Sequence, residues 1–437
     1  MFRFFEADLL EWQSSSTRTP LILRGARQIG KTYVVEKFAQ KNFQNFIKIN
    51  FEIDKDYKNY FKQNLDPHKL LTALSLDKNI KIEPGKTLIF FDEIQECPEA
   101  IQALRYFYEE IPKLHIIAAG SLLEFALNSE DYKMPVGRIT FKFLKPLSFY
   151  EFLKAQNKES LIDYIQNLTL KEGCDDIIHA KLLRELHTYY LVGGMPSAVQ
   201  AYINNQEDLD RGFSKVREVH YRLLQTYKKD FGKYAKASKH DDLEAVFDYA
   251  PKSISKKFKY SNVYPEAKSR DMKAALELLI KAGICNKVAR ANNDLPLGVS
   301  ASSQHFKLLF LDIGLMNSSC DLDLDKFLLE ENVHDKFDGA IAEQFVGQEL
   351  LTIPPSYQEA KLYYWERAEA GSAEIDYLLS TQSKIYPLEV KAGTTGKLKS
   401  LHFYMQEYKP DFGVRISSRK LEYENGILSI PIYAASE

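Results

Sequence analysis

Residues 24–32 read RGARQIGKT, set between the apolar run LIL and the helical-looking YVVEKFAQ (33–40). The eight residues Gly25, Ala26, Arg27, Gln28, Ile29, Gly30, Lys31 and Thr32 satisfy the spacing G-x-x-x-x-G-K-[ST] in full. Glycine at the two fixed positions admits backbone dihedrals that other residues resist, so successive N–H groups can turn toward phosphate oxygens. Lys31 offers a positive charge to the β- and γ-phosphates, and the Thr32 hydroxyl is a hard oxygen ligand for Mg²⁺. The helix opening through Tyr33 aims its positive end at the same phosphates. The expected ligands are ATP and Mg²⁺. The expected context is a strand before the loop and a helix after it.

From Pro20 to about Pro146 the chain repeats that alternation. LILRG (21–25), NFIKINF (45–51), TLIFF (87–91), HIIAA (115–119) and RITFKFL (138–144) are predicted strands with helical stretches between them, which calls for an α/β unit with a mostly parallel sheet. LIFFDEIQECP (88–98) is an apolar strand that delivers Asp92 and Glu93 at its C-terminal end. Asp92 is placed to hold the Mg²⁺ shell, and Glu93 to orient and polarise the attacking water. Ser121 ends the next strand. It reads as a sensor of the γ-phosphate or the lytic water, and equally as the cap of a following helix. Arg138 follows Gly137 before the last strand. It reads as a charge-stabilising finger acting in cis or from a neighbouring subunit, and equally as a surface arginine paired with an acid.

These elements, in this order, resemble the AAA-type ATPases of the P-loop superfamily. The chain more closely resembles a prokaryotic family in which such a domain precedes a C-terminal domain of unassigned function. RGARQIGKT, FFDEIQ, AAGSLLE, GRITFKFLKPLSFYEFL, LVGGMPSAV and the C-terminal EIDYLL…YPLEVKAG carry that resemblance, which covers nearly the whole chain. It implies an ATP site in the first domain and a C-terminal domain similar to the restriction-endonuclease fold.

The residues of the C-terminal part point the same way. Asp376 lies in one predicted strand, and Glu389 and Lys391 lie two apart in the next, so the last two share a face. Asp followed by Glu-x-Lys on adjacent strands is the arrangement in which carboxylates hold one or two Mg²⁺ ions and a lysine positions water. Glu343, in the helical GAIAEQFVGQELL, is a candidate further ligand, and Glu366 and Glu374 are alternatives. The same residues also fit a relic that makes only structural ion pairs, such as Asp376 with Lys391. Between the two α/β units the chain is mainly helical. KLLRELHTYYLVGGMPSAVQAY (181–202) reads as two helices broken at Gly193, Gly194 and Pro196. Residues 240–292 read as three helices and a short strand, the order of a winged-helix module. The expected division is 1–153 for the ATPase domain, 154–239 for a helical region, 240–330 for the winged-helix-like domain and 331–437 for the restriction-endonuclease-like domain.

With 437 residues, several domains are expected. A formal net charge of -2 gives no global attraction to nucleic acid or membrane, so any such partner must be met by a local patch. Two stretches offer one: KKDFGKYAKASKH (228–240) and PKSISKKFKY (251–260), which make DNA a candidate partner, although most charge runs are simply solvated surface. A homo-oligomer is needed only if Arg138 acts from a neighbour. The cysteines, Cys97, Cys174, Cys285 and Cys320, form no paired motif and fit a reducing compartment. The N-terminus does not read as a signal peptide, and no apolar run approaches the ~18 residues of a membrane span, so a cytoplasmic protein is expected.

Overall fold

The computed structural model describes residues 2–121, 123, 135, 137–235, 239–266, 268–320, 335–367, 373–381 and 383–437. The first unit runs α1 (Phe5–Ser14), β1 (Leu21–Arg24), α2 (Lys31–Asn42), β2 (Asn45–Asn50), α3 (Lys55–Gln63), α4 (Pro67–Lys78), β3 (Thr87–Asp92), α5 (Pro98–Glu110), β4 (His115–Ala119) and β5 (Thr140–Phe143). Its five strands lie in the order β2-β3-β4-β1-β5, all parallel. Every residue of β3 and β4 is buried, as continuous apolar runs in the centre of a two-sided parallel sheet require. The phosphate loop after β1, Asp92 at the end of β3 and Ser121 just past β4 therefore emerge at one edge of the sheet, where ligands bind in open α/β folds.

Helices Phe149–Ala155, Glu159–Gln166, Asp176–Val192, Pro196–Ile203 and Leu209–Tyr234 follow. The break at Gly193 and Gly194 has a steric cause. A Cβ on Gly194 would meet the Leu147 carbonyl oxygen at 2.1 Å, and one on Gly193 would meet Asp312 Oδ1 at 2.2 Å. Backbone bonds replace the missing side chains: Gly194 N donates to Asp312 Oδ2 at 2.6 Å, and Leu147 N donates to the Gly194 carbonyl at 2.7 Å. Thus the GGMP turn ties the first sheet, the helical region and the segment after 310 together. Of the three helices expected over 240–292, two form, His240–Tyr249 and Ser269–Lys281. Between them, among the described residues, lie only single 3₁₀ turns at Ala250–Ser253 and Tyr260–Asn262. Pro251 withholds a donor, and Ser255 takes a positive φ of 65° that leaves the helical path.

The remaining strands are β6 (Cys285–Arg290), β7 (Phe306–Phe310), β8 (Leu362–Glu366), β9 (Glu374–Thr381), β10 (Lys384–Val390), β11 (Gly413–Ser417), β12 (Glu422–Glu424) and β13 (Ile427–Pro431). They form one sheet of eight in the order β12-β13-β11-β10-β9-β8-β6-β7. The β6–β7 hairpin joins it through a parallel pairing of β6 with β8, so the sheet spans the 330/331 boundary. Helices Asp335–Leu350 and Lys399–Tyr408 accompany it, and helix Ile313–Ser319 precedes it. One hydrophobic core reaches through all three parts, from Leu21 and Val34 through Tyr189 and Leu276 to Phe345 and Tyr377.

Candidate nucleotide site and a buried carboxylate cluster

The phosphate loop has the backbone its sequence requires. Gly25 and Gly30 hold φ of 144° and 92°, and Gln28 joins them at 66°. A Cβ on Gly25 would come within 2.4 Å of the Leu144 carbonyl oxygen, so that position excludes any side chain. Lys31 is buried at the first turn of α2, and its Nζ donates to the carbonyls of Gly25 at 2.9 Å and Ala26 at 2.8 Å. Burial pulls its pKa down to about 8 against the opposing charges of Glu93 and Asp92.

Thr32 Oγ1 donates to the Asp92 carboxylate, at 3.2 Å from Oδ2 and 3.3 Å from Oδ1. These hard oxygen donors, beside a lysine and glycine-freed N–H groups, fit Mg²⁺ and a nucleotide triphosphate. Lys48 of β2, which sequence reasoning missed, lies 3.2 Å from Asp92 Oδ2 and 2.9 Å from Glu36 Oε1. Burial raises the Asp92 carboxyl, and Lys48 opposes that rise. Glu93 sits at φ 50°, just past the strand, accepting from Gln95 Nε2 at 2.6 Å and from Ser121 Oγ at 3.5 Å. Lys31, Thr32, Asp92, Glu93 and Ser121 are thus brought together. Of the residues that follow Ser121, 122 and 124–134 lie outside those described, and with them the helix that Ser121 was expected to cap. Tyr33 is half-exposed on α2.

Arg138 is not brought to this edge. It precedes β5, whose Thr140 is in register with Leu21, the first residue of β1. That places it at the opposite end of the sheet, roughly 15 Å from the loop on strand geometry. There its Nε is 3.0 Å from Glu109 Oε1.

The loop is gripped from outside the first sheet. Arg27 Nη1 bonds Asp230 Oδ1 at 2.7 Å, and Tyr227 Oη donates to the Arg27 carbonyl at 2.7 Å, both from helix Leu209–Tyr234. Buried Arg3 donates to the Ile29 carbonyl at 3.1 Å and pairs with Glu151 at 3.1 Å.

Comparison with known families decides the first unit. Residues 17–153 match an AAA domain. Residues 183–326 and 338–434 match two further models, each described as a domain of unknown function (DUF8612 and DUF4143). No curated protein matches the chain. Similar solved structures include the Thermotoga maritima RuvB Holliday junction branch migration motor, at 14% identity over 65% of this chain and 87% of that one, with a TM-score of 0.30. The Orc1 protein of Aeropyrum pernix, solved in complex with DNA, gives 12% identity over 75% and 94%, with a TM-score of 0.27. PCH-2 of C. elegans gives 11% over 50% and 68%, with a TM-score of 0.29.

Outside the AAA domain, the C-terminal carboxylates converge on a residue not anticipated from the sequence. Lys307 of β7, at 1% exposure, holds its Nζ 2.9 Å from Glu343, 2.6 Å from Glu374 and 3.4 Å from Asp376. Burial alone would lower this ammonium, but Glu343, Asp376 and Glu374 hold it well above the ordinary lysine value. The other oxygen of Asp376 accepts the Val390 N–H at 2.9 Å. Lys391 pairs with Glu389 at 2.7 Å and not with Asp376. Burial raises both Glu343 and Glu389 to about 7. Glu389 Oε2 is buried without a hydrogen-bond partner. Glu343, Glu374 and Asp376 are therefore gathered around an ammonium, and Glu389 pairs with Lys391 instead. Among the described residues no group of three or more His, Cys, Asp or Glu has the geometry to hold a metal. The carboxylate set does not fit a metal while Lys307 occupies its centre. The sequence signal was available: Lys307 is the one charged residue in FKLLF, a strand buried throughout.

Proposed function

We propose that this protein is a Mg²⁺-dependent ATPase whose cycle moves the helical and C-terminal parts, with DNA as the macromolecule acted on. The observation that carries this reading is the grip of helix Leu209–Tyr234 on the phosphate loop, through Asp230 on Arg27 and Tyr227 on the Arg27 carbonyl. Residues 25–32 cradle the phosphates, and Lys31 exchanges its loop carbonyls for phosphate oxygens. Thr32 and Asp92 would hold Mg²⁺, which would supply positive charge at the phosphates. Glu93 orients water, and Ser121 fixes the Glu93 carboxylate. Any displacement of the loop crown reaches the helix directly.

Arg138 contributes a finger only from a neighbouring copy, so that role belongs to a homo-oligomer. DNA enters through Lys252, Lys256 and Lys259, which are exposed beside the 3₁₀ turns. The other basic stretch is largely neutralised: Lys228 pairs with Glu244 and Asp248, Lys233 with Glu52, and Lys239 with Asp242 and Asp271. Lys236 lies outside the described residues. Lys257 is likewise engaged, by Glu366.

The helix, three antiparallel strands, helix and parallel strand of the C-terminal part support a restriction-endonuclease-like fold. With Lys307 among its carboxylates, this part serves as a binding module without cleavage. The test is ATP turnover by the full chain with Mg²⁺, with and without duplex DNA. Turnover abolished by Lys31→Ala is expected, and DNA binding should fall with salt less steeply after Lys252, Lys256 and Lys259 are changed to Gln. Absence of ATP binding refutes the ATPase reading. Metal-dependent DNA cleavage lost in Glu389→Ala establishes a gated nuclease instead.

A further inference from the structure

Arg3 stands ahead of α1, yet its side chain ends against the phosphate loop. All three guanidinium nitrogens are bonded. Nε pairs with Glu151 Oε1 at 3.1 Å, Nη1 donates to the Ile29 carbonyl at 3.1 Å, and Nη2 donates to the Lys145 carbonyl. One side chain thus joins the loop, the segment after β5 and helix Phe149–Ala155. Arg3 and Glu151 are 4% and 5% exposed, so salt screens the pair little.

The surroundings fix where Arg3 stands. Glu151 Oε1 also accepts the Phe4 N–H at 2.7 Å, and its Oε2 accepts the Ser148 N–H at 3.2 Å, which closes the capping box of helix Phe149–Ala155. Helix α1 is tied on two sides. Glu6 pairs with Lys37 and Lys41 of α2 at 2.8 and 3.0 Å, and Asp8 pairs with Lys142 of β5 at 2.7 Å. Phe5, Leu9 and Trp12 are buried on its inner face.

The bond to Ile29 decides where a neighbouring donor points. The Ile29–Gly30 peptide is trans, since Leu295–Pro296 is the one cis bond among the described residues. In a trans peptide the N–H and the C=O point in opposite directions. Holding the Ile29 carbonyl on Arg3 therefore turns the Gly30 N–H to the other side of the loop. Gly30, at φ 92°, has no side chain to resist rotation of that peptide, so a bond from outside must hold it.

We propose that Arg3 is a positioning residue of the nucleotide site: it sets the Ile29–Gly30 peptide so that the Gly30 N–H meets the phosphates of ATP. The inference rests on the ATPase reading of the loop. It makes the segment before β1 part of that site, although Arg3 itself bonds only protein groups.

Equilibrium titration of the full chain with ATP and Mg²⁺ tests this in Arg3→Lys. An ammonium keeps a cation beside Glu151 but lacks the planar fork that reaches two carbonyls at once. Binding should weaken about three- to tenfold, as expected for the loss of one hydrogen bond. In turnover the loss should appear in KM and not in kcat, because Arg3 touches neither Glu93 nor the Thr32–Asp92 pair. If Arg3→Lys does not fold, the double variant Arg3→Gln with Glu151→Gln carries the same expectation, with no buried charge left unpaired. Unchanged ATP affinity in a folded variant overturns the proposal, whatever its melting temperature, since Arg3 then serves stability alone. A lower kcat at unchanged KM overturns it too. No ATP binding by the unaltered chain refutes the ATP site itself, and the role of Arg3 with it.

Discussion

Arg27, in the crown of the phosphate loop, is bonded through Nη1 to Asp230 at 2.7 Å, across 203 residues of chain. Both groups are largely shielded from solvent. Burial raises the Asp230 carboxyl, and Arg27 is the first charge to oppose that rise. The pair makes the loop's conformation and the position of helix Leu209–Tyr234 one variable. A double-mutant cycle on ATP affinity with Arg27→Ala, Asp230→Ala and both together should give a coupling of about 0.5–3 kcal/mol. Strict additivity would mean that the helix does not sense the loop.

Lys48 is expected to act through Asp92. Lys48→Met removes the cation that holds the buried Asp92 carboxylate in its charged form, so Mg²⁺–ATP should bind about tenfold more weakly while nucleotide binding without metal is little changed. Equal losses with and without Mg²⁺ would assign Lys48 to the loop's stability alone. The sequence hid this residue because its role depends on register. Lys48 lies two positions before Asn50, the cross-strand partner of Asp92, and only the β2–β3 pairing reveals that.

The first sheet was legible for the opposite reason. Its strands are apolar runs that end in glycine or polar residues, and the loop spacing is fixed by phosphate geometry. The Thr32–Asp92 contact and the position of Glu93 follow from those two constraints. Arg138 failed as a cis finger because strand direction, not sequence proximity, decides which edge a residue reaches. The turn Asn425–Gly426, with φ of 52° and 77°, joins β12 to β13 and was readable as a hairpin signal. The joining of the β6–β7 hairpin to β8 was not readable, since the two are about 70 residues apart and no local pattern records a parallel pairing.

Lys307 should prove structural. Lys307→Met leaves Glu343, Glu374 and Asp376 without their shared cation, and a loss of about 3–5 kcal/mol in unfolding stability is expected from breaking a buried pair. Chemical denaturation measures it. A change of less than about 1 kcal/mol would place the ammonium outside the cluster in solution.

Glu349 gives a pH signature. Burial raises its folded pKa to about 8, well above the ordinary carboxylate range, so the folded state keeps a proton that the unfolded state loses. Stability therefore falls as pH rises from about 5 to about 8, by up to about 1.4 kcal/mol per pH unit for this group. Glu349→Gln can still accept the Phe149 N–H and should flatten that slope, melting above the unaltered chain at about pH 8. Parallel melting curves for both proteins across the window would remove Glu349 as the cause.

The claim that most needs testing is that ATP at the loop reorganises the helix that grips it. Amide hydrogen exchange over residues 209–234 tests it directly, in a Glu93→Gln chain that binds ATP–Mg²⁺ without turning it over. Nucleotide should change protection along that helix, and Asp230→Ala should erase the change while ATP still binds. Identical exchange with and without bound nucleotide would contradict the account.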